Sequence, residues 1–433
     1  MPLPLEHLRN ISFWILDFIK GSKTKKHLNE IKLVLDNYNN NDSKANRDNN
    51  LESLLKHAVN TTRFYKKISN YKSLTRFEVI NKNTIRNNIE DFKSNRFINK
   101  KTFKSSTSGS TGASLTVYHD KNKKIRNNAD TIYFSKKSGY KIGYKLFYIR
   151  HWGGLHKKSK IISWIQNIIP IEVINLNDET MASFISRFKN DRSNKVILGY
   201  ASAFELICKY LDKINATPID SNIRSIIAMS ENLNSYTKKA MGHYFKCTAY
   251  SRYSNMENGI LAQQTNKNIP DFTLNWASYY IEILNINNNQ PAKKGNYGRI
   301  VVTDLFNYAM PLIRYDTGDL GILDYTKSPP TLKTVDGRKS DSILNTKGDI
   351  ITSFIITNLY NFDKIIQSQL IQETKKQYTL KLNVEGSFTH ENEIINTLKK
   401  HLGQDAIIKV IYVNEIPLLA SGKRKATVNN FLK

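Results

Sequence analysis

The stretch KVILGYASAFELICKYLDKI (195–214) sets the fold class. Its first six residues read as a short buried strand ending in Gly-Tyr, rich in β-branched and apolar side chains. From Ala201 the period changes. Phe204, Ile207 and Leu211 recur at helical spacing, which predicts a helix over 201–214. The same alternation runs on both sides. YKLFYIR (144–150) reads as a strand, KIISWIQNIIPIEVINL (160–176) mixes helix and strand signals, and ETMASFISRFKND (179–191) reads as a helix. IRSIIAMS (223–230) then predicts a strand, NSYTKKAMGHYF (234–245) a helix and CTAYSRYS (247–254) a strand. Strand, helix, strand, helix is the pattern of an α/β layer with parallel strands.

Toward the N-terminus the chain reads as helical over 1–36. The polar run LDNYNNNDSKANRDNN (35–50) is expected to be an exposed loop. LESLLKHAVNTTRFYKKI (51–68) has helical spacing at Leu54, Leu55, Ala58 and Val59, and RFEVINKNTIRNNIEDF (76–92) reads as another short helix. After 270 the character turns to β, in YYIEILNI (279–286), GRIVVTDLF (298–306) and GILDY (321–325). YTLKLNVEG (378–386), ENEIINTLKKHLG (391–403) and AIIKVIYVNEI (406–416) give strand, helix, strand, a small α+β domain. The boundary before it is expected near Asp336–Ser340, and no internal repeat is visible.

Composition bounds the function. A chain of 433 residues is too long for one simple core. Its net charge of +28 is mostly lysine spread along the whole length with abundant Asn and Ile, which reads as a coding bias. No zinc finger, basic zipper or aromatic–basic interleaving accompanies it, so no specific nucleic-acid partner is expected. Cys208 and Cys247 are too few for a disulfide framework and fit a reducing, cytoplasmic setting. ISFWILDFI (11–19) is too short to span a bilayer and is interrupted by Asp17; it reads as an amphipathic helix packed on the body, with peripheral membrane contact as the lesser alternative. His151 and His156 lack metal-ligand spacing.

SSTSGSTGASLTVYHD (105–120) is the stretch most suggestive of chemistry. Glycines let backbone N–H groups approach a ligand, and Ser and Thr hydroxyls donate freely, so the run suits a polyphosphate; it suits a flexible connector as well. Five further places stand out. MSENL (229–233) and YSRYSNMENG (250–259) lie at strand ends. YDTGDLG (315–321) gathers two carboxylates and two glycines, expected as a tight turn between β segments. GRKSD (337–341) lies at the proposed boundary, and IPLLASGKRKA (416–426) beyond it carries Lys423.

In this order and spacing the set resembles the adenylate-forming superfamily of acyl-activating enzymes, in its phenylacetate–CoA ligase and capsular-polysaccharide-biosynthesis-type branch. The resemblance starts at LLKHAVNTTRFYKKI, runs through LGYASAFELICKYL and ends at Lys423, almost the whole chain. It implies an α/β fold: a large N-terminal adenylate-forming domain (1–336), with α/β layers, a β-rich part and a helical extension over about 1–100, and a small mobile α+β C-terminal domain (337–433). It implies activation of a carboxylic acid with MgATP, giving acyl-adenylate and pyrophosphate, then transfer to a thiol such as coenzyme A or to an amine. Ser106, Thr107, Ser108, Gly109, Ser110, Thr111 and Gly112 match the phosphate loop, Glu257 the residue that helps hold Mg²⁺, and Ser230 and Glu231 the stretch lining adenine, with Tyr253 adding a ring face. Asp319 matches the aspartate that accepts from the ribose hydroxyls, Arg338 the arginine near ribose and phosphate, Asp341 the hinge and Lys423 the catalytic lysine. Two departures stand out. No lysine follows the loop, where Leu115 and Thr116 stand, and Asn255-Met256 precede Glu257 where a Ser or Thr is common. These departures keep a second reading open, a non-catalytic nucleotide- or partner-binding protein of the same fold.

Overall fold

The computed structural model describes residues 4–106, 115–152, 159–338, 343–351, 359, 362, 364–417 and 424–431. The chain divides into two compact units. One comprises Met1–Tyr144 and Arg252–Val335, the other Lys145–Ser251 and Asp336–Lys433.

The first unit is helical and antiparallel. Helices α1 (Pro4–Ile19), α2 (Lys23–Asp36) and α3 (Asn41–Thr61) precede the short α4 (Lys82–Asn87) and α5 (Ile89–Phe92). Strands β1 (Phe103–Ser106) and β2 (Thr116–His119) pair antiparallel as the stems of the glycine-rich loop. Helix α6 (Lys121–Lys137) follows, its first turn capped by the Asp120 side chain on Lys123 N. The larger sheet continues from Arg252 in β7 (Ala249–Asn255), with β8 (Gly259–Asn266), β9 (Ile269–Leu274), β10 (Tyr279–Leu284), β11 (Gly298–Asp304), β12 (Tyr315–Asp324) and β13 (Thr331–Arg338). Their order is β10-β11-β12-β13-β9-β8-β7. Two cores fill this unit. One packs α2 and α6 on the sheet through Ile31, Val34, Phe134, Leu261 and Val302. The other gathers Leu54, Leu55, Tyr65, Phe77, Phe92 and Val117 around Leu312 and Tyr315.

The second unit is parallel where the sequence reading expects it. Strands β3 (Lys145–Arg150), β4 (Ile168–Glu172), β5 (Lys195–Tyr200) and β6 (Ile223–Met229) lie in the order β6-β5-β3-β4, each neighbouring pair parallel. Helices α7 (Lys160–Ile165), α8 (Asp178–Asn190), α9 (Ala201–Lys213) and α10 (Ser235–Phe245) connect them. Every residue of β5 is buried, and Phe204, Ile207, Cys208 and Leu211 of α9 pack into the same core. The rest of the unit holds β14 (Ile343–Leu344), β15 (Ile350–Ile351), β16 (Ile365–Gln372), β17 (Gln377–Val384), the helix α11 (Glu391–Leu402), β18 (Ile407–Tyr412) and β19 (Thr427–Asn429). Its four-stranded sheet runs β18-β17-β16-β19, over Leu370, Leu380, Ile394 and Leu398.

Local expectations fail at four places, each for a physical reason. Residues 41–50, expected as loop, are the first half of α3. Tertiary polar contacts carry this part: Arg47 stacks 3.8 Å over the Tyr38 ring and donates to its carbonyl at 2.9 Å, and Asn50 donates to Glu30. Residues 76–92 are not one helix; Ile80 instead bridges Tyr315, and α4 begins two residues later under a capping box from Asn81. YDTGDLG is no turn between strands but an irregular part of β12, with Gly318 at φ +81 and its N–H received by Asp316. Helix α1 is present but inside out. Glu6 and Asp17 are its buried residues, while most of its large apolar side chains are exposed. No helix among the described residues is long and apolar enough to cross a membrane.

Candidate active site

In the first unit the anticipated site residues meet at the ends of β7, β8 and β12. Antiparallel pairing of β7 with β8 forces a tight reversal at 256–258, and Glu257 stands in it with its side chain only 2% exposed. One carboxylate oxygen, Oε1, accepts from the Tyr315 hydroxyl at 2.9 Å and lies 3.1 Å from Lys82 Nζ. Lys82 reaches it because Ile80 is hydrogen-bonded on both sides of Tyr315, giving its N–H to Arg314 and taking that of Asp316. The backbone of the reversal is held as well. His119 Nε2 donates to the Glu257 carbonyl at 2.8 Å, and Ser105 Oγ donates to the Met256 carbonyl at 2.7 Å. Burial, with Lys123 nearby, lowers the pKa of His119, so the ring is a neutral donor.

Those two bonds matter because Ser105 and His119 belong to β1 and β2. The stems of the glycine-rich loop are therefore fastened to the Glu257 reversal. Ser106, the last residue of β1, shares a 2.9 Å hydroxyl contact with Thr116 across the stem. Thr107, Ser108, Gly109, Ser110, Thr111 and Gly112 lie outside the described residues.

Tyr253 and Asp319 are also brought together. The Tyr253 hydroxyl donates to Asp319 Oδ2 at 2.8 Å and lies 3.2 Å from Thr317 Oγ1. Thr317 in turn accepts the Asp319 N–H and donates to the Ile300 carbonyl. Burial, then the Asp319 carboxylate, raises the Tyr253 phenol well above its ordinary range; burial, then Glu257, does the same for Tyr315. Both phenols thus remain donors to their carboxylates. Asp316 points elsewhere: one oxygen caps the Gly318 N–H and the other is held by Arg299 at 2.6 Å.

The second unit places the other predicted stretch. Ser230 follows β6 with a left-handed backbone, φ +71, and turns Glu231 back toward the start of α9. Glu231 Oε2 accepts from Ser202 N at 2.8 Å, at a helix N-terminus where a carboxylate is favoured. Its Oε1 accepts from Arg424 N at 2.7 Å. The Arg424 guanidinium adds Glu205 at 3.2 Å and the Ile416 carbonyl at 2.6 Å. Glu231 is thus bonded to the neighbour of Lys423 in sequence, while Lys423 and Asp341 lie outside the described residues. Arg338 is the last residue of β13.

Sequence reasoning missed Lys82, Tyr315, His119 and Arg424 as partners. Tyr315, His119 and Arg424 lay inside the quoted stretches YDTGDLG, SSTSGSTGASLTVYHD and IPLLASGKRKA without being singled out; Lys82 sits in an ordinary helix start, and nothing in INKNT marks it. For Mg²⁺, the donor set is one buried carboxylate. No group of three or more His, Cys, Asp or Glu side chains able to hold a metal occurs among the described residues. That fits an ion which keeps its waters and shares itself with substrate phosphates, and does not fit an all-protein cage.

Comparison with known proteins bears on the fold. A family model described as the CapK C-terminal domain matches residues 343–430. Protein CapK of Staphylococcus aureus is 23% identical over 447 residues, spanning 95% of this chain and 94% of that one. Among solved structures, 2-hydroxyisobutyryl-CoA ligase in the postadenylation state, in complex with R3-HIB-AMP, superposes with a TM-score of 0.71 at 16% identity, covering 89% of each chain. ATP-bound MatB from Rhodopseudomonas palustris gives a TM-score of 0.55 at 15% identity, over 74% of this chain and 66% of that one. At such identities the structural likeness speaks for the fold, and the sequence match along nearly the whole chain narrows the branch. The chain has the fold of the adenylate-forming ligases, and it is similar to CapK along nearly its whole length, with a CapK C-terminal domain match over 343–430.

Proposed function

We propose that the chain activates a carboxylic acid with ATP, releasing pyrophosphate, and passes the acyl group to coenzyme A or to an amine, in cell-surface polysaccharide biosynthesis. The observation that carries this is the fastening of the glycine-rich loop's stems, through Ser105 and His119, to the reversal that bears Glu257. A phosphate-binding loop and a metal-binding carboxylate must be neighbours for a nucleoside triphosphate to be held by both.

In this reading a substrate carboxylate oxygen attacks the α-phosphorus, and the bond to pyrophosphate breaks. Ser106 and the 107–112 loop grip the β- and γ-phosphates through N–H and hydroxyl groups. Glu257 would hold Mg²⁺, which when bound neutralises phosphate charge. Asp319 accepts from the ribose hydroxyls, its second donor being the Tyr253 phenol already in place. Ser230 and Glu231 line adenine, Arg338 reaches ribose and phosphate, and Lys423 bridges the attacking carboxylate and the α-phosphate. The division at 336/337 with Asp341 as hinge lets the 337–433 domain change position between half-reactions. The supply of ATP and coenzyme A places this work in the cytoplasm.

The test is carboxylate-dependent pyrophosphate release from MgATP with a mixed acid library. Wild type is expected to release it, and Lys423→Ala to release at least about a hundredfold less, the loss of one charged group at a developing charge. One observation favours the second reading, nucleotide binding without turnover: Lys82 and Tyr315 both engage Oε1 of Glu257, the carboxylate that would hold Mg²⁺. ATP binding with no pyrophosphate from any acid would decide for it.

A further inference from the structure

We propose that helix α1 docks this protein on an anionic lipid surface, lying in the interface with its exposed face against the acyl boundary. The helix is polar where it meets protein and apolar where it does not. Leu5, Leu8, Ile11, Ile15, Leu16, Phe18 and Ile19 are 41–75% exposed, whereas Glu6 and Asp17 are 3% and 8% exposed. At 100° per residue the seven apolar side chains cover an arc of roughly 160°, and Ser12 is the polar residue within it. Phe13 and Trp14 flank the buried side in edge-to-face contact.

Polar bonds fix this orientation. Asp17 accepts from Thr24 N at 2.9 Å and Lys25 N at 3.0 Å, capping α2, and these bonds hold its carboxyl below the usual range against the burial that would raise it. Asn10 donates to the Ile142 carbonyl at 3.2 Å. A Cβ at Gly143 would stand 2.1 Å from the Glu6 carbonyl oxygen, so the close approach of α1 to this loop depends on that glycine, at φ +100. The apolar face is therefore not free to roll inward, and a contiguous apolar face of this size marks an interaction surface.

Charge selects the partner. Lys20, Lys23, Lys25 and Lys26 follow directly, all exposed, with no acidic residue among them. Lys23 also opens a cleft of about 430 Å³ lined by Arg96, Lys100 and Lys121. The carboxylate of that cleft, Asp120, is already taken by the backbone N–H groups of Lys123 and Tyr308. An apolar helix face ending in lysines that form no ion pair among the described residues fits lipid chains beneath anionic headgroups. At sixteen residues α1 is too short to cross.

The experiment is flotation of the full chain with vesicles of phosphatidylcholine alone or in equal parts with phosphatidylglycerol. Wild type should float with the anionic vesicles, much less with the neutral ones, and release as salt rises. The double variant Leu8→Glu, Ile15→Glu should bind at least about tenfold more weakly, and so should the triple Lys20→Gln, Lys25→Gln, Lys26→Gln. All five positions are exposed, and unchanged circular dichroism and melting would show that the variants fold. Absence of wild-type protein from both floating fractions overturns the proposal. So does a wild-type dimer by light scattering that the Leu8→Glu, Ile15→Glu variant turns into monomer, which would assign the face to a second copy.

Discussion

Two carboxylates at strand ends, Glu257 in the first unit and Glu231 in the second, are held in opposite ways. Glu257 closes an antiparallel pair, is buried, and takes its partners from side chains, Lys82 Nζ and the Tyr315 hydroxyl. Glu231 ends a parallel strand and takes main-chain N–H groups, Ser202 at a helix start and Arg424 beyond it. The difference follows from topology. An antiparallel reversal leads into a strand and not into a helix, so charge there is balanced by a side chain brought from elsewhere. A parallel strand ends beside the helix that follows its neighbour, so N–H groups are already present. A carboxylate held by side chains is vulnerable to single substitutions; one held by backbone is not.

The largest break should come at Lys82. Lys82→Met leaves the Glu257 carboxylate in an apolar setting with one hydrogen bond. The cost is expected at about 2–3 kcal/mol in urea unfolding, below the full range for broken buried pairs because Lys82 is 28% exposed. Glu257→Gln, which keeps the shape and drops the charge, should cost less than Lys82→Met. If Lys82→Met proved neutral, the ion pair would be ornamental and the contrast with Glu231 would fall.

The phenols sharpen the same contrast, because they too are side-chain partners of carboxylates. Tyr253→Phe removes a hydrogen bond to Asp319 worth about 1.5 kcal/mol, a value for a charged, part-buried acceptor. It also changes the alkaline limb. Tyr253, Tyr279 and Tyr315 all titrate well above the ordinary value when folded, through burial first and then Asp319, Asp304 and Glu257 respectively. An unfolded phenol gives up its proton near pH 10, while the folded one keeps it, so the unfolded state binds fewer protons there. Stability present below that pH is therefore lost as pH rises above it, by about 1.4 kcal/mol per pH unit for each phenol. Tyr253→Phe should flatten that slope by one proton. Urea midpoints at rising pH measure it, and parallel curves for variant and wild type would refute the assignment.

Legibility in the sequence divided along the same line. The parallel layer was readable because each of its strands is an apolar run that a helix follows, as in KVILGY and ASAFELICKYL. The antiparallel strands β8 and β9 were not, since GILAQQTN buries polar side chains: Gln263 is fully buried, held by the Phe134 carbonyl and by Arg252. Polar residues at core positions erase the period by which strands are recognised. Of the candidate site, Glu257, Tyr253, Asp319 and Glu231 stood in the quoted motifs, singled out by the family resemblance and not by any local period. Lys82 was invisible, because its contact depends on one bridge between Ile80 and Tyr315 that no local pattern announces. The outward face of α1 was misread for a related reason. Amphipathicity shows that a helix has two faces, but only the polar anchors Asp17 and Asn10 decide which of them meets the protein.

Glu231→Gln tests the backbone half of the comparison. Ser202 N is received by Oε2 and Arg424 N by Oε1, so the single amide oxygen of glutamine keeps one of these bonds and its NH2 group stands against the other N–H. What is lost is one of the two bonds together with the interaction of a full charge with the start of α9, about 1–2 kcal/mol. The Arg424 guanidinium retains Glu205 and the Ile416 carbonyl, so the 424–429 segment should stay in place. Urea unfolding of Glu231→Gln beside Glu257→Gln is the direct measurement, the same chemical change made at two strand ends. Both partners of Glu257 meet the same oxygen, so a loss at 231 that exceeds the loss at 257 by more than the one bond given up, about 1.5 kcal/mol, would mean that Glu231 depends on its charge rather than on the geometry of the N–H groups around it. The distinction between side-chain-held and backbone-held carboxylates would then have no energetic content.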